Sequence, residues 1–166
     1  MANSLIRGMI AKGAEKTSIL AADLDSAKLS KLRSECGIET ASSAEIAKTA
    51  DIIVLAVKPQ VMKLVCAELK RLLGERSPLI ISIAAGITTS HLGRWLATNT
   101  AIVRCMPNTP ALVGKGASGL YANEHANQVH RDLAQKVMSS VGICVWVEQE
   151  SAIDAVTALS GSGPAY

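Results

Sequence analysis

The most constraining feature of this sequence is an unbroken apolar run between Asp51 and Pro59. Its six apolar residues, from Ile52 to Val57, are rich in β-branched types and do not alternate with polar ones. A strand with one solvated face alternates, whereas a strand covered by helices on both faces does not. The run therefore predicts a buried strand of a parallel sheet, with helices packed on either side.

Lys58 and Pro59 end this strand at a position where ligands commonly bind. Pro59 cannot donate a hydrogen bond to a neighbouring strand, and its fixed φ suits the first turn of a helix. In open α/β sheets, ligands bind beyond the carboxyl ends of strands, so Lys58 is placed to meet a cofactor or an anionic substrate. Taken alone, the stretch favours a simpler interpretation, in which Lys58 reaches water at a strand end.

The composition favours one soluble domain with an aliphatic core. Of the 166 residues, 49% are hydrophobic, yet there is no Phe, and Trp and Tyr occur twice each. The net charge is only +3, with acids and bases interspersed, so neither stacking nor charge predicts a nucleic-acid partner. No apolar run reaches the roughly 20 residues of a membrane span, and no signal peptide is evident. We therefore expect a cytoplasmic protein with no membrane partner.

The cysteines and histidines do not predict a metal site. The four cysteines are far apart and form no Cys-x-x-Cys pair, so we expect buried, reduced thiols. The three histidines show no ligand spacing, since His125 and His130 do not share a helix face. No Ser-His-Asp or Cys-His arrangement is visible, so the sequence predicts no catalytic residue of these types.

Strand and helix patterns alternate along the chain, which predicts an α/β fold with a mainly parallel sheet. Strands are predicted at 17–22, 51–59, 78–83, 100–104 and 143–147, with a Gly-rich connection at 114–121 that includes at most a short strand. Helices are predicted at 1–12, 25–36, 42–48, 60–73, 88–97, 124–140 and 151–159. The core-facing residues predicted for two of these helices are Val61, Leu64, Val65, Leu69 and Leu72, and Val129, Leu133 and Val137.

Small or polar residues follow four of the predicted strands. They are Asp23-Leu24-Asp25, Lys58-Pro59, Ala84-Ala85-Gly86 and Pro107-Asn108-Thr109-Pro110. In a Rossmann sheet these loops line one crevice, and an acid after the second strand contacts the adenine ribose. Each signal alone is weak, because a helix cap explains Asp25 and a turn explains Pro107-Asn108. Four in register favour a dinucleotide site.

The chain resembles pyrroline-5-carboxylate reductase over its whole length. The carrying motifs are Ala56-Val57-Lys58-Pro59, Ser82-Ile83-Ala84-Ala85-Gly86, Arg104-Cys105-Met106-Pro107-Asn108-Thr109-Pro110-Ala111 and Leu159-Ser160-Gly161-Ser162-Gly163-Pro164-Ala165-Tyr166. The resemblance implies an NAD(P)H-dependent reduction of the cyclic imine 1-pyrroline-5-carboxylate to L-proline, the last step of proline biosynthesis. It also implies a Rossmann-like, doubly wound, mainly parallel sheet and a homo-oligomeric full-length protein.

The resemblance further implies which residues contact the cofactor, NADP or NAD. Met1 closes the Gly-rich loop, Asp23 and Leu24 meet the adenosine ribose, and Ser43 lies near the adenine. The remaining implied contacts, to the pyrophosphate and the nicotinamide half, are Ala56, Val57, Lys58, Pro59, Ala84, Ala85, Gly86 and Asn108. Positioning of an already electrophilic protonated imine needs no general acid, so no catalytic side chain is predicted.

Relatives begin with a strand and a Gly-x-Gly-x-Met-type loop before the first helix of this chain, and they continue into a C-terminal helical domain. The resemblance therefore predicts an N-terminally truncated interior fragment. Its residues 1–150 would form the dinucleotide-binding domain without the first strand, and residues 151–166 would start the helical dimerisation domain. Loss of a central strand predicts unpaired ladder groups and little packing for Leu5 and Met9, hence marginal stability or association.

Two further alternatives and one cofactor hypothesis follow. The chain alone could be a non-catalytic, partial nucleotide-binding module, or it could belong to another Rossmann reductase, such as one acting on hydroxyacids. The terminal Gly161-Ser162-Gly163-Pro164-Ala165-Tyr166 segment favours the imine reductase over the hydroxyacid type, whereas without the resemblance it indicates a flexible linker or a helix break. The acidic Asp23-Leu24-Asp25 segment should repel a 2′-phosphate, which predicts that NADH serves at least as well as NADPH.

Overall fold

A computed structural model describes residues 1–161 of the chain. The strands are β1 Leu20–Ala21, β2 Glu39–Thr40, β3 Ile52–Leu55, β4 Leu79–Ser82, β5 Ile102–Met106, β6 Gly116–Ala122 and β7 Gly142–Trp146. The α-helices are α1 Ala2–Ala11, α2 Ser26–Cys36, α3 Ser43–Thr49, α4 Pro59–Leu73, α5 Thr89–Trp95, α6 Gln128–Met138 and α7 Ser151–Val156. Short 3-10 turns cover Lys16–Ser18, Thr109–Val113 and Ser139–Val141, and a π-helical segment, Thr157–Gly161, follows α7.

The strands form two separate sheets. Strands β1 and β2 pair in parallel, and the larger sheet has the order β3-β4-β5-β6-β7. All neighbours in the larger sheet are parallel except β5 and β6, which are antiparallel. The prediction of an α/β fold with a mainly parallel sheet is confirmed. Within residues 1–161, neither β1 nor β2 pairs with a strand of the larger sheet.

Both faces of β3 are covered, as its apolar run predicts. Ile53 and Leu55 are buried in a core cluster with residues of α3, α4 and α5. Ile52 and Val54 point the other way and pack against a second cluster, which contains residues of α1 and α6. The larger sheet therefore lies between two helical layers. The strand itself is shorter than the predicted run, because Ala56 to Lys58 already turn towards α4.

Helix α1 packs against both sheets. Leu5, only 2% exposed, belongs to the core of the larger sheet, whereas Ile6 packs with Cys36 and Ile38 beside the small sheet. The helix also approaches the Ser139–Val141 turn so closely that a Cβ at Gly8 would lie 2.4 Å from the carbonyl oxygen of Ser140. The expectation that Leu5 finds little to pack against is therefore wrong. The Ser139–Val141 turn and the face of the larger sheet provide that packing.

Local signals predict several helix ends correctly. Asp25 caps α2 by accepting from the backbone N–H groups of Ala27 and Lys28, and Gly37 ends that helix in the left-handed region. Ser42 and Glu45 form the predicted capping box of α3. Three cysteines are buried and Cys144 is half-buried, and burial raises the pKa of the Cys66 thiol to about 11.

Four sequence predictions about the elements need correction. Only Leu20–Ala21 of the strand predicted at 17–22 is extended, because Lys16–Ser18 form a 3-10 turn. The Gly-rich connection at 114–121 is mostly strand β6, whose glycines allow close approach of the turns Thr109–Val113 and Ser139–Val141 and of α7. The short strand β2 was not predicted.

The fourth correction concerns two helix faces. In α4 three of the predicted residues face the core, since Leu69 is buried and Val65 and Leu72 pack against the core cluster, whereas Val61 and Leu64 are exposed. The other buried residues of α4 are Met62, Cys66 and Leu73. Both stripes have helical spacing, and the neighbouring helices α3 and α5 select the one centred on Met62 and Cys66. In α6 Leu133 and Val137 pack against the core as predicted, whereas Val129, in the first turn of the helix, is exposed. The helix also buries Ala134 and Met138.

The predicted interruption of the last helix at Gly161-Ser162-Gly163-Pro164 extends past the described residues. Of the segment Leu159–Tyr166, residues 162–166 lie outside the described part of the chain. Among the helices of residues 1–161, none combines the length and the apolar character needed to cross a membrane.

Candidate dinucleotide site

Three loops leave the larger sheet at the same edge. Leu55 pairs with Ser82, and Ser82 pairs with Arg104, on successive parallel strands. The carboxyl ends of β3, β4 and β5 are therefore adjacent, and the residues that follow each strand share one edge. The predicted contacts in these loops are Ala56 to Pro59, Ala84 to Gly86, and Asn108. The structure thus brings together eight of the twelve residues predicted to contact a cofactor.

The loop after β3 presents an exposed lysine at the start of a long helix. Lys58 is the N-cap of α4, and Pro59 occupies its first turn, as predicted. Ala56, Lys58 and Pro59 are exposed, whereas Val57 packs against the core cluster of α4. Among residues 1–161, no hydrogen bond or ion pair engages the Lys58 ammonium group. This cation is therefore available to an anion at the edge of the sheet.

The loop after β4 exposes backbone rather than side chains. Ala84 is buried, whereas Ala85 and Gly86 are exposed. Gly86 has φ +74°, in the left-handed region that favours glycine, and a Cβ built there would meet no atom within 4 Å. A flat ring could approach this backbone closely without a side chain in the way.

Asn108 after β5 has a structural task that the sequence did not reveal. Its side chain is buried, and Oδ1 accepts a hydrogen bond of 2.9 Å from the backbone N–H of Ala117. This bond ties the end of β5 to the start of β6. The Nδ2 donors make no hydrogen bond among the described residues, and Oδ1 keeps a second lone pair, so the side chain can still contact a nicotinamide.

The residues predicted to contact the adenosine half lie around the small sheet. Asp23 follows β1, and its Oδ1 accepts from the backbone N–H of Asp25 at 2.9 Å. The backbone N–H of Lys28, and that of Ala27, lower the pKa of Asp25. Leu24 is fully exposed. These contacts place two carboxylates in the turn after β1.

Ser43 and Met1 complete the predicted set. Ser43 is the exposed first residue of α3, and Met1 precedes α1 as its N-cap. No ladder within residues 1–161 joins this small sheet to the larger one. Four of the twelve predicted contacts thus belong to a separate sheet and to the helix ends beside it.

A buried ionic cluster next to this edge was not predicted. Arg104 in β5 donates to Glu150 Oε1 at 3.3 Å and to Asp154 Oδ1 at 2.7 Å. Glu150 also accepts from Thr89, the first residue of α5. The signal in the sequence was a charged residue inside an otherwise apolar strand, with two acids four positions apart after the last strand.

Two clefts lie at the opposite edge of the larger sheet. One is lined by residues that include Asp51, Arg76 and Leu79, at the start of β3 and β4. The other is lined by residues that include Tyr121 and Trp146, at the ends of β6 and β7. Because β6 runs antiparallel to β5, both clefts lie away from the three loops described above. Neither cleft includes a predicted cofactor contact.

Comparison with known proteins identifies the family. A family model described as NADP oxidoreductase, coenzyme F420-dependent, matches residues 1–86, just over half of the chain. The chain is 48% identical to pyrroline-5-carboxylate reductase of Pseudomonas aeruginosa, over all of this chain and 61% of that protein.

Two solved structures extend the comparison. A pyrroline-5-carboxylate reductase from Coxiella burnetii superposes with a TM-score of 0.96 and 43% identity, over 99% of this chain and 62% of that one. The Plasmodium falciparum pyrroline carboxylate reductase, solved with NADP bound, gives a TM-score of 0.82 and 29% identity, over 98% of this chain and 59% of that one. The chain thus spans about three fifths of its relatives, at 61% of the Pseudomonas protein. It belongs to the family described as NADP oxidoreductase, coenzyme F420-dependent, and the resemblance to pyrroline-5-carboxylate reductases that its motifs carry is confirmed.

Proposed function

We propose that this chain forms the NAD(P)H-binding part of a pyrroline-5-carboxylate reductase. The observation that carries the proposal is identity of 48% to such an enzyme over the whole chain. The convergence of the loops after β3, β4 and β5 at one sheet edge supports it, because that edge is where a Rossmann sheet binds its ligand.

The residues at this edge fit a dinucleotide. Lys58 offers an exposed cation for the pyrophosphate, and the backbone of Ala85 and Gly86 is open to a flat ring. Asp23 would meet the adenosine ribose, and the amide of Asn108 would reach the nicotinamide half. When bound, NAD(P)H supplies a hydride. The role of the chain is to bind this cofactor and to orient it.

The reaction needs little acid–base chemistry from these residues. The carbon of the protonated C=N bond of 1-pyrroline-5-carboxylate accepts the hydride, and its nitrogen keeps the proton as the secondary amine of L-proline. The nicotinamide ring is oxidised in the same step. Holding the hydride donor and the imine carbon in line can supply most of the rate acceleration. We therefore assign no catalytic acid or base within residues 1–166.

The proposal divides the chain into two parts. Residues 1–150 form the dinucleotide-binding domain, and residues 151–166 begin a helical domain that would supply the substrate pocket and the homo-oligomer contacts. A second candidate is a partial nucleotide-binding module without activity, which the division of the strands into two separate sheets favours. The cytoplasmic location expected from the sequence stays a prediction.

A chimera tests the activity directly. Residues 1–166 would replace the matching part of the Pseudomonas aeruginosa reductase, and oxidation of NADH and NADPH would be followed with 1-pyrroline-5-carboxylate. We expect turnover within about tenfold of the parent enzyme. Lys58→Met in the chimera, and the chimera without substrate, are the controls. The mass of the chimera in solution reports the oligomeric state.

Binding to the chain alone separates the alternatives. Isothermal titration of residues 1–166 with NADH and NADPH should give saturable binding. Binding without turnover in a well-folded chimera would favour the non-catalytic module. Turnover of a hydroxyacid instead of the imine would favour the third interpretation. Absence of both binding and turnover would refute the proposed function.

A further inference from the structure

The guanidinium of Arg104 is the most deeply buried charge that the proposed function does not use. Arg104 lies on β5, only 1% exposed, beside its register partner Ser82 of β4. It contacts two carboxylates from the start of the last helix, Glu150 at 3.3 Å and Asp154 at 2.7 Å. A buried arginine requires such partners, because its charge cannot be neutralised by loss of a proton.

The two carboxylates are in different environments. The side chain of Glu150 is 20% exposed, whereas that of Asp154 is 63% exposed. Solvent screens the exposed Asp154 carboxylate more than that of Glu150, although the Asp154 contact to Arg104 is the shorter of the two. Their separation by four positions gives a matched pair of acids that differ in burial and in what else they contact.

Glu150 also holds the start of α5. Its Oε1 accepts from the backbone N–H of Thr89 at 2.7 Å, and its Oε2 accepts from the Thr89 hydroxyl at 2.9 Å. Thr89 is the first residue of α5 and lies three residues after Gly86. The Glu150 carboxylate thus joins the end of the β4 loop to β5 and to the start of α7. Asp154 has no contact to α5 among the described hydrogen bonds.

We propose that Glu150, held by Arg104, is a positioning residue for the Ala84–Ala85–Gly86 loop. The contact fixes where that loop enters α5 and therefore how its exposed backbone meets the nicotinamide half of the cofactor. This inference rests on the proposed function, since it assigns a ligand to the loop. It goes beyond that function by linking the loop to the segment that leads into the residues after 161.

The test compares ligands that do or do not reach the loop. NADPH and NADH contain the nicotinamide, whereas ADP-ribose contains only the adenosine diphosphate and ribose parts. For residues 1–166, Glu150→Gln should weaken binding of NAD(P)H about tenfold and leave ADP-ribose within about twofold. A purely structural defect would weaken all three ligands equally. Asp154→Asn is the matched control and should change none of them by more than about twofold.

A second variant and a second measurement keep the test decisive. Thr89→Val removes the hydroxyl donor at nearly constant side-chain volume. Like Glu150→Gln, it should weaken binding of NADH and NADPH more than binding of ADP-ribose. Amide hydrogen exchange without any ligand should speed up at residues 84–89 in Glu150→Gln but not in Asp154→Asn.

Two outcomes would overturn the positioning role: equal loss for NAD(P)H and ADP-ribose, or unchanged exchange at residues 84–89. If the unmodified chain bound no nucleotide and the chimera showed no turnover, the proposed function would fail. The exchange measurement would still decide whether Glu150 holds the loop.

Discussion

Leu55 of β3 and Ser82 of β4 are register partners on parallel strands. The chain therefore leaves both strands at the same edge of the sheet, and Lys58 and Ala85 each lie three positions after one of these partners. Two short motifs whose Lys58 and Ala85 are 27 positions apart in the chain thus follow adjacent strands at one candidate site. It also makes the site testable by single substitutions that leave the strands unchanged.

Lys58→Met should weaken binding of NADH and NADPH. The exposed ammonium is placed to contact the pyrophosphate, and loss of a charge-assisted hydrogen bond costs about 1–2 kcal/mol, or about five- to thirtyfold in Kd. Titration calorimetry at low and high salt measures the Kd values for NADH and NADPH. These values should depend less on salt concentration in the variant than in the unmodified chain.

Lys63→Met is the matched control for Lys58. Lys63 is an exposed lysine of the same helix, but it lies a full turn past the N-terminus of α4. We expect no change in affinity. A loss of equal size in both variants would mean that net charge, and not the position of Lys58, controls binding.

Asp23→Ser should shift preference towards NADPH. The carboxylate of Asp23 follows β1, where a 2′-phosphate would be repelled, whereas serine keeps an acceptor for the backbone N–H of Asp25. Removal of a repulsion of about 1 kcal/mol corresponds to about fivefold in the ratio of the two Kd values. Asp23→Glu keeps the charge and should leave the ratio near that of the unmodified chain. A strong NADPH preference in the unmodified chain would contradict the acidic-turn hypothesis itself.

Gly8→Ala and Gly93→Ala should have opposite effects on stability. A methyl group at Gly8 would meet the Ser140 carbonyl oxygen at 2.4 Å, so α1 must shift, at a cost of about 1–3 kcal/mol. At Gly93 in α5 nothing lies within 4 Å, and alanine should stabilise the helix by about 0.5–1 kcal/mol. Urea unfolding measures both. Stabilisation by both substitutions would show that α1 is not seated against the Ser139–Val141 turn.

The capping box of α3 predicts a pH dependence of stability. The backbone N–H of Ser42, and then its hydroxyl, donate to Glu45 and hold the pKa of that carboxyl below its ordinary value of 4.5. Since the folded pKa is lower than the unfolded one, the contribution is complete above pH 4.5 and is lost as pH falls through the folded value.

Glu45→Gln should therefore destabilise the protein near neutral pH and reduce the loss of stability on acidification. Urea midpoints measured at about pH 7 and about pH 3 give the comparison. Asp25 also has a lowered pKa, so part of the acid sensitivity should persist in the variant. An unchanged pH profile would contradict the role of the Glu45 carboxylate.

The sequence predicted those parts of the fold that local patterns determine. The β-branched run from Ile52 to Val57 predicted a strand covered on both sides, and Asp25 and Ser42 predicted two helix starts. Strand β6 was missed because Gly116 and Gly119 look like loop residues. They are small because Val141, Val156 and other neighbours approach their backbones closely. Such tertiary proximity leaves no periodic signal in the chain.

In the candidate site, too, the sequence predicted the features that depend on local patterns and missed those that depend on contacts between distant segments. The small residues after each strand pointed to the correct edge of the sheet, because parallel strands place their carboxyl ends together. The sequence could not show that Asn108 is tied to Ala117, or that Arg104 meets Glu150, since both contacts join segments that are distant along the chain. Which of two overlapping apolar stripes of α4 is buried also depended on its neighbours in space.

Helix α1 packs through adjacent residues, Leu5 and Ile6, on the cores of two different sheets. The two-stranded sheet has a much smaller core than its neighbour, so it should open at lower free energy than the rest of the protein. A dinucleotide that contacted Asp23 with its adenosine half and Lys58 with its pyrophosphate would link the two-stranded sheet to the larger sheet. Ligand-dependent protection from exchange should therefore be greatest at residues 19–40, far from the hydride-bearing ring.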